Sequence, residues 1–219
     1  MRSIYLDIDG TLVEEGLWCC LIEQLVEEGL GDAVLLQGVV EALEDPDRSG
    51  MQAIRRDIPT ALKGIPPGCY RDVADRAWGR VELMPFTEEL AGLLRRQRVG
   101  VVLISGAPQV LAEKVGELFA AEAVYACTIT PGEDFRRIVD SSTVKSVLTW
   151  QAMADRNEQD GRVGAVGNGY NDIGMLQRVG HPVAFEPSEK LRTHAIASGW
   201  PIVGRNDLME HFGKAFGLR

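Results

Sequence analysis

Six short apolar runs alternate with longer amphipathic stretches along this chain, which limits it to folds that bury a sheet between layers of helices. Each run is apolar at consecutive positions, as in strands of a parallel sheet that are buried on both faces. We therefore predict an α/β fold with a doubly wound parallel sheet. The predicted strands cover residues 3–8, 99–104, 123–129, 163–166, 182–185 and 201–203, and the predicted helices cover 87–96, 108–119, 142–156, 172–178, 188–198 and 207–216.

A stretch of about ninety residues, 13–98, separates the first two predicted strands, far more than usually joins neighbouring elements. Its apolar residues recur at helical spacing over 17–25 and 34–43, and residues 53–62 predict a further helix that Pro59 interrupts. Residues 63–68 predict a turn. We therefore predict two domains. They are an α/β core of residues 1–12 and 84–219, and a helical domain of residues 13–83 inserted after the first strand.

The acidic balance of the chain favours a small-molecule partner. A formal net charge of -9 repels nucleic acid and acidic membrane surfaces. No apolar run approaches the roughly 20 residues that cross a bilayer, so we expect neither a membrane partner nor an export signal. Four cysteines without a C-x-x-C pair favour reduced thiols and a cytoplasmic location. A monomer and a homodimer both remain open.

The first predicted strand ends in the pattern Asp7-Ile8-Asp9-Gly10-Thr11. Because residues i and i+2 of a strand share a face, the two carboxylates project together at its carboxyl end, where α/β sheets place ligands. Gly10 allows a sharp turn, and the backbone amides of Gly10 and Thr11 then face an anion. A strand followed by a polar turn is the simpler interpretation. The full pattern is expected by chance in only about one chain in several hundred, so we favour a functional site.

A pair of carboxylates in this arrangement suits phosphoryl transfer. We predict that Asp7 attacks phosphorus, and that Asp9 protonates the leaving alkoxide and then takes a proton from the water that hydrolyses the acyl phosphate. A carboxylate and a phosphate dianion repel each other, so a cation is needed between them. Oxygen ligands point to Mg²⁺ as that cation.

With these motifs the sequence resembles the haloacid dehalogenase superfamily of phosphatases, close to its phosphoserine-phosphatase-like branch, over nearly the whole chain. Residues 7–12 match the first motif of the family and residues 102–106 match the second. Lys145 matches the lysine of the third motif, and residues 165–176 match the fourth. The resemblance implies a Rossmann-type core, a helical cap and a phosphatase that forms an aspartyl-phosphate intermediate.

The resemblance also implies a role for each matched residue. Thr11, Ser105 and Gly106 would bind the phosphate, and Lys145 would neutralise the charge of phosphate and nucleophile. Taken alone, Ser105-Gly106 is equally typical of a turn, and Lys145 of a solvated helix lysine. The implied magnesium ligands are Asp7, the backbone carbonyl of Asp9, Asn168 and Asp172.

Position 168 departs from the family pattern. The family usually has an acidic residue there, whereas Asn168 offers a carbonyl oxygen without a negative charge. We therefore expect weaker magnesium binding, with Asp7 and Asp172 supplying the remaining charge.

The insertion corresponds to a family cap that closes over the site and contacts the leaving group. Arg55 and Arg56 are candidate substrate ligands because a guanidinium pairs well with a carboxylate, although surface charge is the commoner explanation. Gly16 and Ile58 stand where the serine-specific members carry a glutamate and an arginine, so phosphoserine is only a candidate substrate. Further residues expected near the mouth of the site are Glu14, Glu15, Trp18 and Met51.

Three functions remain open at this point. The first is hydrolysis of a small phosphorylated metabolite. The second is transfer of the phosphoryl group to a small alcohol, and the third is a non-enzymatic phosphate sensor, suggested by the neutral Asn168. A sensor needs no second carboxylate for proton transfer, so Asp9 argues against the third function.

Overall fold

The apolar runs of the sequence form one parallel sheet in the computed structural model, which describes residues 1–14, 16–44 and 50–215. Within these residues the sheet has six strands in the order β3-β2-β1-β4-β5-β6. The order reverses beside β1, as the doubly wound prediction requires, and places a ligand-binding crevice at the carboxyl ends of β1 and its neighbours. The strands are β1 (Ser3–Leu6), β2 (Gly100–Pro108), β3 (Ala123–Cys127), β4 (Val163–Gly167), β5 (His181–Phe185) and β6 (Ile202–Val203).

Helices cover the sheet and fill the long connection after β1. In the described part of the chain, that connection contains α1 (Leu17–Glu27), α2 (Ala33–Glu44), α3 (Gly50–Ala61) and α4 (Pro67–Ala77). We call residues 13–83 the inserted segment. The helices that follow it are α5 (Thr87–Arg96), α6 (Gln109–Phe119), α7 (Ser142–Asp155), α8 (Ile173–Leu176), α9 (Glu189–Ser198) and α10 (Leu208–Ala215). Residue 216, the predicted end of the last helix, lies outside the described residues. None of the described helices is both long and apolar enough to span a membrane.

Two features of the inserted segment differ from the sequence prediction. The predicted interruption at Pro59 is wrong, because α3 continues through this residue to Ala61. Pro59 lies in the last turn, where it removes one amide donor and leaves the hydrogen bonds of the earlier turns in place. The second difference is α4, which we predicted in part as a turn and otherwise missed. Pro67 is its first residue, a position at which proline favours a helix rather than breaking it.

The inserted segment leaves and rejoins the sheet at one place. Val13 forms an antiparallel bridge with Leu83, and the Glu14 amide donates to the Glu82 carbonyl at 2.8 Å. The Met84 amide donates to the Leu12 carbonyl at 3.0 Å. The buried apolar side chains of the segment and of the sheet form one continuous cluster. The division into two domains stays a prediction.

Strand β1 is buried along its whole length and is tied to α7. The Tyr5 hydroxyl donates to Glu158 at 2.8 Å, and the Ser3 hydroxyl donates to the other oxygen of the same carboxylate. Glu158 follows the end of α7, so these bonds hold that helix against the strand that leads to Asp7.

Candidate active site

The chain turns sharply after β1, and this turn presents two carboxylates. The Asp7 amide donates to the Val166 carbonyl at 3.0 Å, which extends the pairing of β1 with β4. Gly10 then adopts a φ of 70°, in the left-handed region. A Cβ built on Gly10 would lie 2.1 Å from the Asn168 side-chain amide, so a larger residue would displace Asn168 as well as strain the backbone. The turn thereby brings Asn168 next to the loop that carries Asp7 and Asp9.

Lys145 bridges two carboxylates inside the protein. Its Nζ donates to Asp7 Oδ1 and to Asp172 Oδ1, each at 2.6 Å, and all three side chains are almost fully buried. The other oxygen of Asp172 accepts from the Gly169 amide at 2.8 Å. The structure therefore brings together the predicted residues of the first, third and fourth motifs.

The backbone around α7 and α8 explains why Lys145 reaches both partners. Ser141 caps the beginning of α7 by accepting from the Val144 amide at 3.3 Å. The Ser142 hydroxyl accepts from the Gly174 amide at 2.8 Å. A Cβ on Gly174 would lie 2.0 Å from the Ser142 carbonyl oxygen, so glycine permits this close packing of the two helices. Lys145 and Asp172 each lie within a turn of that contact.

Burial and charge together raise the pKa values of both Asp7 and Lys145, which favours a neutral Asp7 and a charged Lys145. Burial raises the pKa of Asp7 to about 7, and the nearby Asp172 adds to the shift, while Lys145 opposes it. Burial alone would lower the pKa of Lys145, but the two carboxylates outweigh it and raise that pKa above its ordinary value. Lys145 is therefore a permanent cation, and Asp7 needs positive charge nearby to stay ionised at neutral pH.

Asp9 is held by the beginning of α1. Its Oδ1 accepts from the Leu17 amide at 2.8 Å. Burial raises the pKa of Asp9 to about 6, against the lowering effects of the Leu17 amide and of hydrogen bonding by Ser105. A carboxyl group with this pKa exchanges a proton near neutral pH, as a general acid and base must.

Ser105 and Gly106 lie near the carboxyl end of β2, beside the aspartates. The Ser105 hydroxyl accepts from the Ala107 amide at 3.2 Å. The Gly106 carbonyl accepts from Trp18 Nε1 at 2.9 Å, a bond that joins α1 of the inserted segment to this strand. The second motif thus contacts both the aspartates and the insertion.

These groups surround one cavity of about 170 Å³. The wall of this cavity contains Asp7 and four other predicted site residues, together with apolar residues of the inserted segment. Sequence analysis did not assign Asn171 or Leu43 to the site, although Asn171 stands in the fourth motif and Leu43 in the apolar pattern of α2. The described residues of the wall are Asp7, Asp9, Gly16, Trp18, Leu43, Met51, Ser105, Gly106, Asn168 and Asn171. A larger cavity of about 440 Å³, near Trp200 and Phe212, has no acidic residue in its described wall.

Other predicted residues lie away from the cavity wall or beside it. Arg55 donates to Asp140 at 3.1 Å and Arg56 to its neighbour Asp57 at 2.7 Å, and both guanidinium groups are exposed. Glu14 accepts from Arg205 at 3.0 Å. The Thr11 side chain is fully buried, and its hydroxyl has no hydrogen-bond partner among the described residues. Glu15 lies outside the described residues.

The oxygen atoms at this edge of the sheet suit a hard cation. Asp7, Asp9 and Asn168 line the same cavity, and Mg²⁺ accepts both carboxylate and carbonyl ligands. Among the described residues, no three His, Cys, Asp or Glu side chains form a metal-binding group. The donor set fits magnesium with fewer negative charges than three carboxylates supply.

Comparison with known proteins relates the chain to phosphatases. A phosphoserine phosphatase of Archaeoglobus fulgidus is 27% identical over 213 residues, covering 90% of this chain and 56% of that protein. A Streptomyces azureus "inhibition of morphological differentiation protein" is 30% identical over 124 residues, covering 53% of this chain and 45% of that protein. This chain thus spans about half the length of these curated relatives.

A solved structure shares the fold. A phosphoserine phosphatase carrying an analogue of its phospho-aspartyl intermediate superposes with a TM-score of 0.72 at 18% identity, covering 96% of this chain and 99% of that one. The profile of the haloacid dehalogenase-like hydrolases matches residues 4–177, a span that contains the whole described wall of the cavity and Lys145. By this match, this chain belongs to the haloacid dehalogenase-like hydrolases.

Proposed function

We propose that the protein is a magnesium-dependent phosphatase that hydrolyses a small phosphate monoester through an aspartyl-phosphate on Asp7. The observation that carries the proposal is the cavity that Asp7 and Asp9 share, with Lys145 fixed to Asp7 at 2.6 Å. The phosphoserine phosphatase from Archaeoglobus fulgidus adds support from similarity.

In the first step, the Asp7 oxygen that Lys145 does not hold attacks phosphorus. The bond from phosphorus to the ester oxygen breaks, and Asp9 transfers its proton to that oxygen, so the alcohol leaves neutral. Lys145 keeps Asp7 oriented and compensates its negative charge. Ser105 and the Gly106 amide are assigned to the phosphate oxygens, where hydrogen bonds stabilise the transition state.

In the second step, water attacks the phosphorus of the aspartyl-phosphate. Asp9, now ionised, takes one proton from that water, and the bond from phosphorus to the Asp7 oxygen breaks. The products are inorganic phosphate and the regenerated carboxylate. Asp9 thereby returns to its protonated form, and the two steps together consume one water molecule.

Magnesium would be held by Asp7, the backbone carbonyl of Asp9 and Asn168, with Asp172 beside them. When bound, the ion reduces the repulsion between the phosphate dianion and Asp7 and favours the ionised nucleophile. Asp172 also holds Lys145, so we assign it a shared role in charge balance. Residues 13–83 would act as the cap that covers the site, because Trp18, Leu43 and Met51 already line the cavity.

Steady-state hydrolysis of phosphorylated metabolites and p-nitrophenyl phosphate, with and without Mg²⁺, tests the proposal. We expect phosphate release that requires Mg²⁺ and is lost in the Asp7→Asn variant. Acid quenching during turnover should trap phosphate on the unmodified protein and not on the variant. Inactivity of the folded protein towards every ester, with Mg²⁺ present, would overturn the proposal.

A further inference from the structure

The part of the cavity that faces the leaving group is apolar. The inserted segment contributes the side chains of Trp18 from α1, Leu43 from α2 and Met51 from α3. Among its described residues, the inserted segment contributes no charged side chain to this wall. An ester that enters the cavity with its phosphate at Asp7 therefore places its alcohol portion against hydrocarbon, an indole ring and a thioether.

Trp18 is a fixed part of this wall. Its indole nitrogen donates to the Gly106 carbonyl at 2.9 Å, and its ring packs edge-to-face on Phe135 with centroids 6.2 Å apart. Only 3% of the residue is exposed. A ring held on two sides presents a constant apolar surface, so its contribution to selectivity requires no rearrangement of the side chain.

Met51 lies directly over the second motif. Its Sδ would be 3.3 Å from a Cβ built on Gly106, closer than ordinary packing, so glycine at this position lets Met51 approach the strand. A leaving group bonded to a phosphate near Gly106 therefore contacts Met51 within its first few atoms. The flexible methionine side chain packs well against apolar groups. It offers no strong hydrogen bond or charge to offset the cost of removing a charged group from water.

Among the described residues, the charged side chains that sequence analysis placed near the mouth of the site have partners in the chain. Arg55 pairs with Asp140, Arg56 with Asp57, and Glu14 with Arg205. Recruiting one of these groups to a substrate carboxylate or ammonium requires breaking its present ion pair. Burying such a charge against the apolar wall without a partner is unfavourable.

From this arrangement we propose that the substrate is a phosphate monoester of a small uncharged apolar alcohol, alkyl or aryl, whose hydrocarbon portion packs on Trp18, Leu43 and Met51. The inference rests on the proposed function and makes it specific. Phosphoserine, which carries an ammonium and a carboxylate on its leaving group, is then a poor substrate.

Matched esters test the inference on the full chain with Mg²⁺. We expect kcat/KM for isobutyl and phenyl phosphate to exceed that for phosphoserine and phosphoglycolate by at least about tenfold. Met51→Lys places a cation on the apolar wall and should reverse this order in favour of the carboxylate-bearing esters. Val34→Lys, at a residue of α2 that is 81% exposed, makes the same change on the outer surface and should leave the order unchanged.

A binding measurement separates failure of the inference from failure of the proposed function. By calorimetry, phenylphosphonate should bind at least about tenfold more tightly than the phosphonate analogue of phosphoserine, and Trp18→Ala should abolish the difference. Hydrolysis of phosphoserine faster than of the uncharged esters would overturn the inference and leave the phosphatase intact. Inactivity towards every ester would overturn the proposed function. Equal binding of the two phosphonates would overturn the inference whether or not turnover occurs.

If Met51→Lys does not fold, Met51→Ala provides the same comparison without a buried charge. We expect Met51→Ala to lower kcat/KM for isobutyl phosphate at least about threefold and to leave phosphoserine unaffected. A uniform loss for all esters would overturn the assignment of Met51 to the leaving group.

Discussion

Lys145 concentrates positive charge in a buried space that also contains two carboxylates. Its Nζ is 2.6 Å from an oxygen of Asp7 and 2.6 Å from one of Asp172. Removing the lysine leaves two carboxylates without a partner away from water, which costs more than the ion pairs contribute. Neutralising one carboxylate instead leaves Lys145 paired with the other, so the stability of the protein is most sensitive to loss of the lysine.

We expect Lys145→Met to lower the free energy of unfolding by about 3–5 kcal/mol. Combining it with Asp172→Asn should recover part of that loss, because only one carboxylate then lacks a partner. Urea denaturation measures both effects. Lys214→Met removes an exposed lysine that pairs with Glu210 and should leave stability nearly unchanged. Equal losses in the two lysine variants would contradict the buried bridge.

Asp7 should destabilise the metal-free protein at alkaline pH. Its folded-state pKa of about 7 lies above the ordinary value of 3.8 for an aspartate, so folding favours the neutral form. The contribution to stability is retained at low pH and is lost as pH rises from about 4 to about 7. We expect Asp7→Asn to unfold at higher urea concentration than the unmodified protein at pH 8, by on the order of 1 kcal/mol or more. The gain should shrink at pH 5, and a gain independent of pH would contradict this origin.

For esters with poor leaving groups, the pKa of Asp9 should determine where kcat/KM begins to fall at alkaline pH. Only its protonated form donates to the alkoxide, and burial raises its pKa to about 6. We expect kcat/KM for alkyl phosphates to fall roughly tenfold per pH unit above about pH 6. Nitrophenolate leaves without a proton, so p-nitrophenyl phosphate should lack this decline. Asp9→Asn should release one equivalent of nitrophenol rapidly and then turn over slowly, and an identical decline for both kinds of ester would argue against the role of Asp9.

The sequence predicted which residues of the motifs lie together more fully than it predicted their surroundings. Asp7 and Asp9 follow from their spacing on one strand, and family resemblance aligned Lys145 with them across 138 residues. The role of Trp18 was less accessible, because its hydrogen bond to Gly106 spans 88 residues and depends on how α1 packs on β2. Arg55 and Arg56 had suitable chemistry, yet sequence could not predict that they pair with Asp140 and Asp57.

At the scale of elements, the parallel strands were predictable because their apolar runs are buried on both faces. Helix α4 was not, since Pro66, Pro67 and Gly68 together resemble a turn, although proline also begins helices. The length of β2 was also missed. A shift in its register with β3 lies between Ile104 and Pro108, and the strand resumes pairing beyond it. Irregularities of this kind depend on the neighbouring strand rather than on the local sequence.

Pro59 gives a test of the inserted helices. It lies within the last turn of α3, where its ring and missing amide hydrogen weaken the helix. We expect Pro59→Ala to stabilise the protein by about 1–3 kcal/mol, measured by chemical denaturation. Pro67→Ala, at the first position of α4, provides the matched control and should give no gain. Similar changes in the free energy of unfolding for the two variants would show that the position of proline within the helix does not determine its effect on stability.

For the molecule as a whole, metal affinity follows from the balance of charge at the edge of the sheet. Asn168 carries no negative charge beside Asp7 and Asp9, so Asn168→Asp should bind Mg²⁺ more tightly. We expect Kd to fall roughly tenfold, which corresponds to about 1.4 kcal/mol of binding free energy. Isothermal titration calorimetry measures the affinity, and the midpoint of thermal unfolding should rise further with Mg²⁺ in the variant. Asn157→Asp makes the same change at an exposed residue outside the cavity and should have no effect. Unchanged affinity in Asn168→Asp would exclude position 168 from the metal site.

The antiparallel bridge between Val13 and Leu83 has a consequence for how the inserted segment can change during evolution. The chain leaves the sheet and returns to it at adjacent, hydrogen-bonded residues. The intervening helices are therefore connected to the sheet at a single position. Their number and length can change without moving β1 relative to β2, whose register sets the positions of Asp7 and Ser105. Selection could thus change the side chains over the proposed site for the alcohol portion while Asp7 and Ser105 keep their positions.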